Sequence, residues 1–139
     1  MFFRPIRPED APLLPDLFSV LSPTSVYYRF FRALKEISPQ MLIRFTEIDY
    51  DREIALVALD DDSEADRLLG VARIIGDPDD KKGEFAVLVG DPWHGRGIGS
   101  GLLKKCLLIA ECRGFQSITG VVMNENKSML EMGKNRVLI

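Results

Sequence analysis

Residues 53–89 hold three short apolar runs separated by Asp- and Gly-rich punctuation, and this pattern constrains the fold more than any other feature of the 139-residue chain. Ile54-Ala55-Leu56-Val57-Ala58-Leu59 and Leu68-Leu69-Gly70-Val71-Ala72-Arg73-Ile74-Ile75 are too short for core helices and rich in β-branched residues, so each reads as a buried strand. Gly76-Asp77-Pro78-Asp79-Asp80 is a dense group of turn formers, and Gly83 to Val89 follows as a third run of the same kind. Three strands joined by tight turns make an antiparallel meander.

Helical signals flank the meander. Phe2 to Ile6 is a short apolar edge strand with Pro5 near its end, and Arg7-Pro8-Glu9-Asp10 starts a helix whose apolar positions are Leu13, Leu14, Leu17 and Phe18. A second helix starts at the Ser22 cap with Pro23 in its first turn and runs through Tyr27, Phe30 and Phe31. Ser38-Pro39 repeats the start signal, with Met41, Leu42, Phe45 and Ile48 as the stripe of a third helix. After the meander, Gly90-Asp91-Pro92 ends the strand and Ile98 to Arg113 is a helix with Ile98, Leu102, Leu103, Cys106, Leu107, Ile109 and Ala110 on its buried side. Gly114 stops it. Gln116 to Val122 is another strand and Lys127 to Met132 begins a last helix. The order predicts an α/β (α+β) domain: a mixed, mostly antiparallel sheet flanked by helices, with one parallel crossover between the Glu84 strand and the Gln116 strand.

Composition bounds the function. With 46% hydrophobic and 28% charged residues, residues 1–139 form a single domain that buries roughly 68–70% of its unfolded surface without disulfides or structural metal. Eighteen basic and 21 acidic residues give a net charge of −3, which argues against nucleic acid as a partner. No apolar stretch approaches the ~20 residues that span a bilayer, and the N-terminus lacks a secretory h-region, so the expected protein is soluble and cytoplasmic. Cys106 and Cys112 sit about 9 Å apart along one helix, beyond disulfide reach, and are expected to be packed thiols. One histidine, His94, and no cysteine pair at ligand spacing leave no material for a zinc site.

The segment with chemical content is Trp93-His94-Gly95-Arg96-Gly97-Ile98-Gly99-Ser100-Gly101, between a strand and a helix. Glycines at this density are costly at a helix start unless something requires them. An anion does: exposed amides at a helix N-terminus, with no Cβ in the way, surround a pyrophosphate while Arg96 adds charge. The dinucleotide fingerprint fails on spacing, and no Gly-Lys-Ser/Thr follows to make a Walker A loop.

His94 to Gly99 resembles the pyrophosphate loop of the GNAT acyltransferase superfamily, Q/R-x-x-G-x-G/A, with His in place of Gln or Arg; Arg96 to Gly101 fits one step later. Phe3-Arg4-Pro5-Ile6-Arg7-Pro8-Glu9-Asp10, Tyr28-Arg29-Phe30-Phe31, Asp49-Tyr50-Asp51-Arg52-Glu53 and Gly83-Glu84-Phe85-Ala86-Val87 together look like the catalytic domain of Pat-type protein lysine acetyltransferases, over residues 2 to about 133. The resemblance implies acetyl transfer from acetyl-CoA, as cosubstrate, to a protein lysine or a small amine. Such transfer needs a neutral amine, a place for the developing oxyanion and a leaving thiolate. By the same resemblance Glu84 is the general base, its pKa raised by partial burial. Val87, Leu88 and Val89 pair with the pantetheine arm, with an N–H near Val89 on the thioester oxygen. His94, Gly95, Arg96, Gly97, Ile98, Gly99 and Ser100 form the pyrophosphate loop, and Asn126 touches the cofactor from the last helix.

The chain departs from the family at two places. Gly133 stands where many members carry a Tyr that protonates the thiolate, which a CoA thiolate survives by taking its proton from water. Further on, a Leu-Gly-Phe-like turn and two strands are expected, whereas the chain reads Lys134-Asn135-Arg136-Val137-Leu138-Ile139, so the C-terminal strands are expected to be missing and the exposed edge to invite a homodimer. The alternative reading is a CoA-binding regulatory module without turnover.

Overall fold

The computed structural model describes residues 1–22, 37–50, 52–60, 66–76, 82–120 and 137–138. The helix expected after Ser22, with Tyr27, Tyr28 and Phe30, and the last helix with Asn126 and Gly133 lie outside the described residues. Strand β1 is Phe2–Pro5, followed by a 3-10 helix at Pro8–Leu13 and helix α1 at Leu14–Ser19. Helix α2 is Pro39–Thr46; strands β2, β3 and β4 are Glu53–Leu59, Leu68–Gly76 and Lys82–Val89. A 3-10 turn at Asp91–Trp93 leads to helix α3, Ile98–Cys112, and strands β5, Ser117–Gly120, and β6, Val137–Leu138.

Among the described residues the sheet runs β1-β2-β3-β4-β5-β6. The meander is antiparallel, with Ile54 opposite Ile74 and Arg73 opposite Ala86. β4 and β5 are parallel, as the crossover through α3 requires, and their pairing runs from Lys82 opposite Ser117 to Phe85 opposite Gly120. The C-terminal tail contributes one short strand, Val137 opposite Ile118.

The strands read as unbroken apolar runs because both faces of the sheet are covered. Ile54, Leu56 and Ala58 join Phe85, Val89, Leu102 and Cys106 in a cluster under α3. Ala55, Val57 and Leu59 alternate with them into a second cluster with Leu14, Leu17 and Val71, against which Leu42 and Phe45 of α2 pack. Ser38 caps α2 by accepting from the Met41 amide at 3.2 Å.

Three expectations are corrected. The helix expected from Pro8 begins as a 3-10 helix, with Pro12 inside it, and turns α-helical only at Leu14. Ile109 of α3 is 38% exposed, lying at the rim of the stripe rather than under it. Cys112 is exposed, at the last turn of α3, while Cys106 is buried with its thiol donating to the Ala72 carbonyl. Both thiols are free. At the N-terminus, Arg4 and the buried Asp10 form two hydrogen bonds of 2.7 and 2.6 Å, and Asp10 also accepts from the Arg7 amide. Among the described residues no helix is long and apolar enough to cross a membrane, and no group of His, Cys, Asp and Glu could hold a metal.

Candidate functional site: two faces of one strand

The glycine segment forms a small recess of about 260 Å³, counting space open to solvent, lined by Val89, Trp93, His94, Gly95, Gly97, Ile98, Gly99 and Ser100. Gly95 and Gly97 hold φ of +78° and +80°, in the left-handed region that side chains disfavour, and a Cβ on either would meet nothing within 4 Å. Both positions therefore call for glycine by backbone conformation, and open space lies beside them. Gly97 is the N-cap of α3 and offers no side-chain hydrogen bond to the first turn, whose amides open toward the recess side of the helix. Gly101 makes the first intrahelical bond, to the Gly97 carbonyl at 2.9 Å. Arg96, between the two left-handed glycines, is exposed and does not line the recess.

The recess is anchored to the end of β4. The His94 ring Nε2 lies 2.8 Å from the Val89 carbonyl, and a carbonyl only accepts, so Nε2 carries the hydrogen. The same nitrogen is 3.9 Å from the Asp91 carboxylate, which accepts from the Ser22 amide at 3.1 Å and so ties the recess to the chain leaving α1. Trp93 packs on the open flank of Gly90, where a Cβ would stand 2.4 Å from a ring carbon.

Side chains alternate along β4. Phe85 and Val89 are buried under α3, with Val87 packed partly against them. Glu84, Ala86 and Leu88 point to the opposite face. There Ala86 and Leu88 line an apolar recess of about 400 Å³ with Leu14, Leu17, Phe18, Phe45 and Arg73. Glu84 shares that face, opposite Ile75, near the start of the strand. It is exposed, so the partial burial expected of it is not found; Ile75 beside it is likewise 40% exposed. Arg73 is buried, donating to the Phe45 carbonyl at 3.0 Å with its guanidinium 5.0 Å from the centre of the Phe45 ring. On its β5 side, described pairing of β4 ends at Phe85, so Ala86–Val89 lead from the ladder to the glycine recess.

The Acetyltransferase (GNAT) family model matches residues 20–133 of this sequence. The chain belongs to that family. It is similar to Pseudomonas aeruginosa acetyltransferase PA5475, 29% identical over 132 residues that cover 95% of this chain and 71% of the relative. In structure this GNAT acetyltransferase resembles the GNAT domain of S. lividans PAT, with a TM-score of 0.81 and 27% identity over 96% of this chain and 78% of the other. The cAMP-binding acyltransferase of Mycobacterium smegmatis shares the fold at a TM-score of 0.61 and 24% identity, over 96% of this chain and 38% of that one. The protein is accordingly an acetyl-CoA-dependent N-acetyltransferase, with acetyl-CoA as cosubstrate. The glycine recess suits such a ligand: uncapped helix amides, two left-handed glycines and open space where their side chains would be are what a pyrophosphate group needs.

Of the residues singled out from the sequence, His94, Gly95, Gly97, Ile98, Gly99, Ser100 and Val89 surround one recess. Leu88 faces the apolar recess, Val87 the α3 side, and Glu84 lies two residues from Ala86 on the Leu88 face. Asn126 is outside the described residues. The contacts of Arg73, Asp91 and Gly90 were not read from the sequence. Arg73 sits within an apolar run with nothing to say which face it takes, and Ser22 and Val20, which meet Asp91 and Gly90, lie about seventy positions away.

Proposed function

We propose that this acetyltransferase moves the acetyl group to a primary amine, the ε-amine of a protein lysine, by direct attack, with Glu84 as the general base. The single observation that carries the reading is the division of β4: one end leads to the glycine recess, and Ala86 and Leu88 line an apolar recess on the face that Glu84, exposed farther back along the strand, also takes. Acetyl-CoA supplies an activated acyl carbon and a thiolate leaving group. Val87, Leu88 and Val89 offer the main-chain groups for the pantetheine arm, with the Val89 region holding the thioester oxygen, and residues Gly95 to Ser100 offer amides to the pyrophosphate, with Arg96 adding charge at the mouth. Asn126 is assigned a cofactor contact by family resemblance. The apolar recess takes the methylene chain of a lysine, and the Glu84 carboxylate takes the proton from its ammonium. The amine nitrogen then bonds the acyl carbon and sheds its second proton to water, the carbon–sulfur bond breaks, and the sulfur leaves as thiolate to be protonated from solvent. Glu84 is exposed, so its carboxylate is open to an acceptor arriving from solvent.

Glu84→Gln tests the assignment. Thiol release with a lysine peptide should fall about 10²- to 10⁴-fold while acetyl-CoA affinity by calorimetry stays the same. Turnover within threefold of the parent would remove Glu84 from the mechanism, and faster turnover of a small primary amine than of the peptide would replace the acceptor.

A further inference from the structure

We propose that His94 is a positioning residue that fixes the strand-borne half of the acetyl-CoA site relative to the loop-borne half by pinning the Val89–Gly90 peptide. This rests on the reading above, in which Val87–Val89 take the pantetheine arm and Gly95–Ser100 the pyrophosphate. That peptide is the joint between the two. Both its polar groups are held, each by a different element: the Gly90 amide donates to the Leu69 carbonyl of β3 at 2.9 Å, and the Val89 carbonyl accepts from His94 Nε2 at 2.8 Å. The first bond registers the joint to the sheet. The second registers it to the loop.

The loop needs such a fixed point. Immediately after His94 come two glycines with positive φ and no packed side chain, Gly95 and Gly97, around the exposed Arg96. Before His94 the turn is braced by the Trp93 amide on the Gly90 carbonyl at 2.9 Å and the His94 amide on the Asp91 carbonyl at 3.2 Å. These bonds lie within the turn and do not set its angle to β4. The His94 side chain reaches back across five residues to the strand itself and ties the turn to it by a hydrogen bond, beside the packing of Trp93 on Gly90. Because the carbonyl can only accept, the neutral ring suffices, and the bond persists without charge.

A ligand held at two places by one frame is sensitive to the angle between them, while a ligand held at one place is not. The variants His94→Ala and His94→Gln, titrated calorimetrically with acetyl-CoA and with its nucleotide half, adenosine 3′-phosphate 5′-diphosphate, separate the possibilities. His94→Ala should weaken acetyl-CoA roughly three- to tenfold, the loss of one hydrogen bond, and change the nucleotide half by less than about twofold. His94→Gln, whose amide can donate to the same carbonyl, should recover acetyl-CoA binding. Equal losses for both ligands in His94→Ala would show a direct contact with the anion and overturn the proposal, as would undiminished acetyl-CoA binding. If His94→Ala does not fold, failure of His94→Gln to bind acetyl-CoA as the parent does overturns it. A parent protein that binds acetyl-CoA but not the nucleotide half would instead remove the cradle reading on which the proposal stands.

Discussion

Gly90→Ala should disturb the cosubstrate site by packing alone. Gly90 has φ −58° and ψ 137°, which alanine adopts freely, so the substitution carries no backbone penalty. The added Cβ would stand 2.4 Å from Trp93 Cζ3, 2.5 Å from Cε3 and 3.1 Å from Val20 Cγ2. The indole is rigid, so the ring must retreat as a whole by about 1 Å to restore ordinary contact. Overpacking of this kind costs about 1–3 kcal/mol, which in a domain of this size lowers the melting temperature by about 4–10 °C. His94 follows Trp93 directly, so the retreat should also loosen the bond to the Val89 carbonyl and weaken acetyl-CoA binding roughly three- to tenfold. Trp93 is the sole tryptophan of the sequence, so one fluorescence melt reads the site directly. Gly90→Ala combined with Trp93→Leu should recover part of the stability, with a coupling of about 1 kcal/mol in the double-mutant cycle. If Gly90→Ala keeps the parent's melting temperature, emission and acetyl-CoA affinity, the packing of Trp93 on Gly90 does not organise the loop.

Two further outcomes follow from buried groups. Burial pushes the Asp10 carboxyl up, but the hydrogen bonds from Arg4 and the Arg7 amide outweigh it and hold it below the ordinary carboxylate value. A depressed folded value means stability that is present above the unfolded pKa near 4 and lost as pH falls through the folded one, so Asp10→Asn should flatten urea-midpoint stability from about pH 4 downward and cost about 2–3 kcal/mol at pH 7. An unchanged acid slope would refute it. Burial pushes the Cys106 thiol up to about 12, whereas Cys112 is exposed. A disulfide reagent at pH 8 should label one thiol rapidly and the second only on unfolding, and Cys112→Ser should abolish the rapid phase; two rapid thiols would contradict the packing under α3.

The meander was legible because a sheet covered on both faces leaves no polar positions to interrupt its strands. Gly114 was legible as the stop of α3, and its φ is +89°. The glycine recess was legible for a different reason: glycine is expensive at a helix start, so its repetition is itself information. What stayed hidden depends on direction in space. Nothing in the run Leu68–Ile75 says that Arg73 turns toward Phe45, or that Glu84 stands clear of the core. Ile109 fits the helical stripe by spacing, yet it lies at the rim of the buried face and is partly exposed. His94 was recognisable as a loop residue, but its partner Val89 is set by the turn between them, whose geometry depends on Trp93 finding Gly90 and Val20.

The two faces of β4 also explain why the register of that strand must be firm. Side chains directed under α3 alternate with those directed to the apolar recess, so a slip of one position would send Glu84, Ala86 and Leu88 under α3 and bring Phe85 and Val89 to the recess face. The ladder with β3 opposes this from Gly76 against Gly83 to Gly70 against Val89, and Phe85 is buried in the cluster under α3. The last pair of that ladder is Val89, whose carbonyl His94 holds. A slip must break every pair of that ladder, and the His94 bond adds one more contact at its end. The contact proposed to join the two halves of the cosubstrate site therefore also adds to the bonds that hold β4 in register.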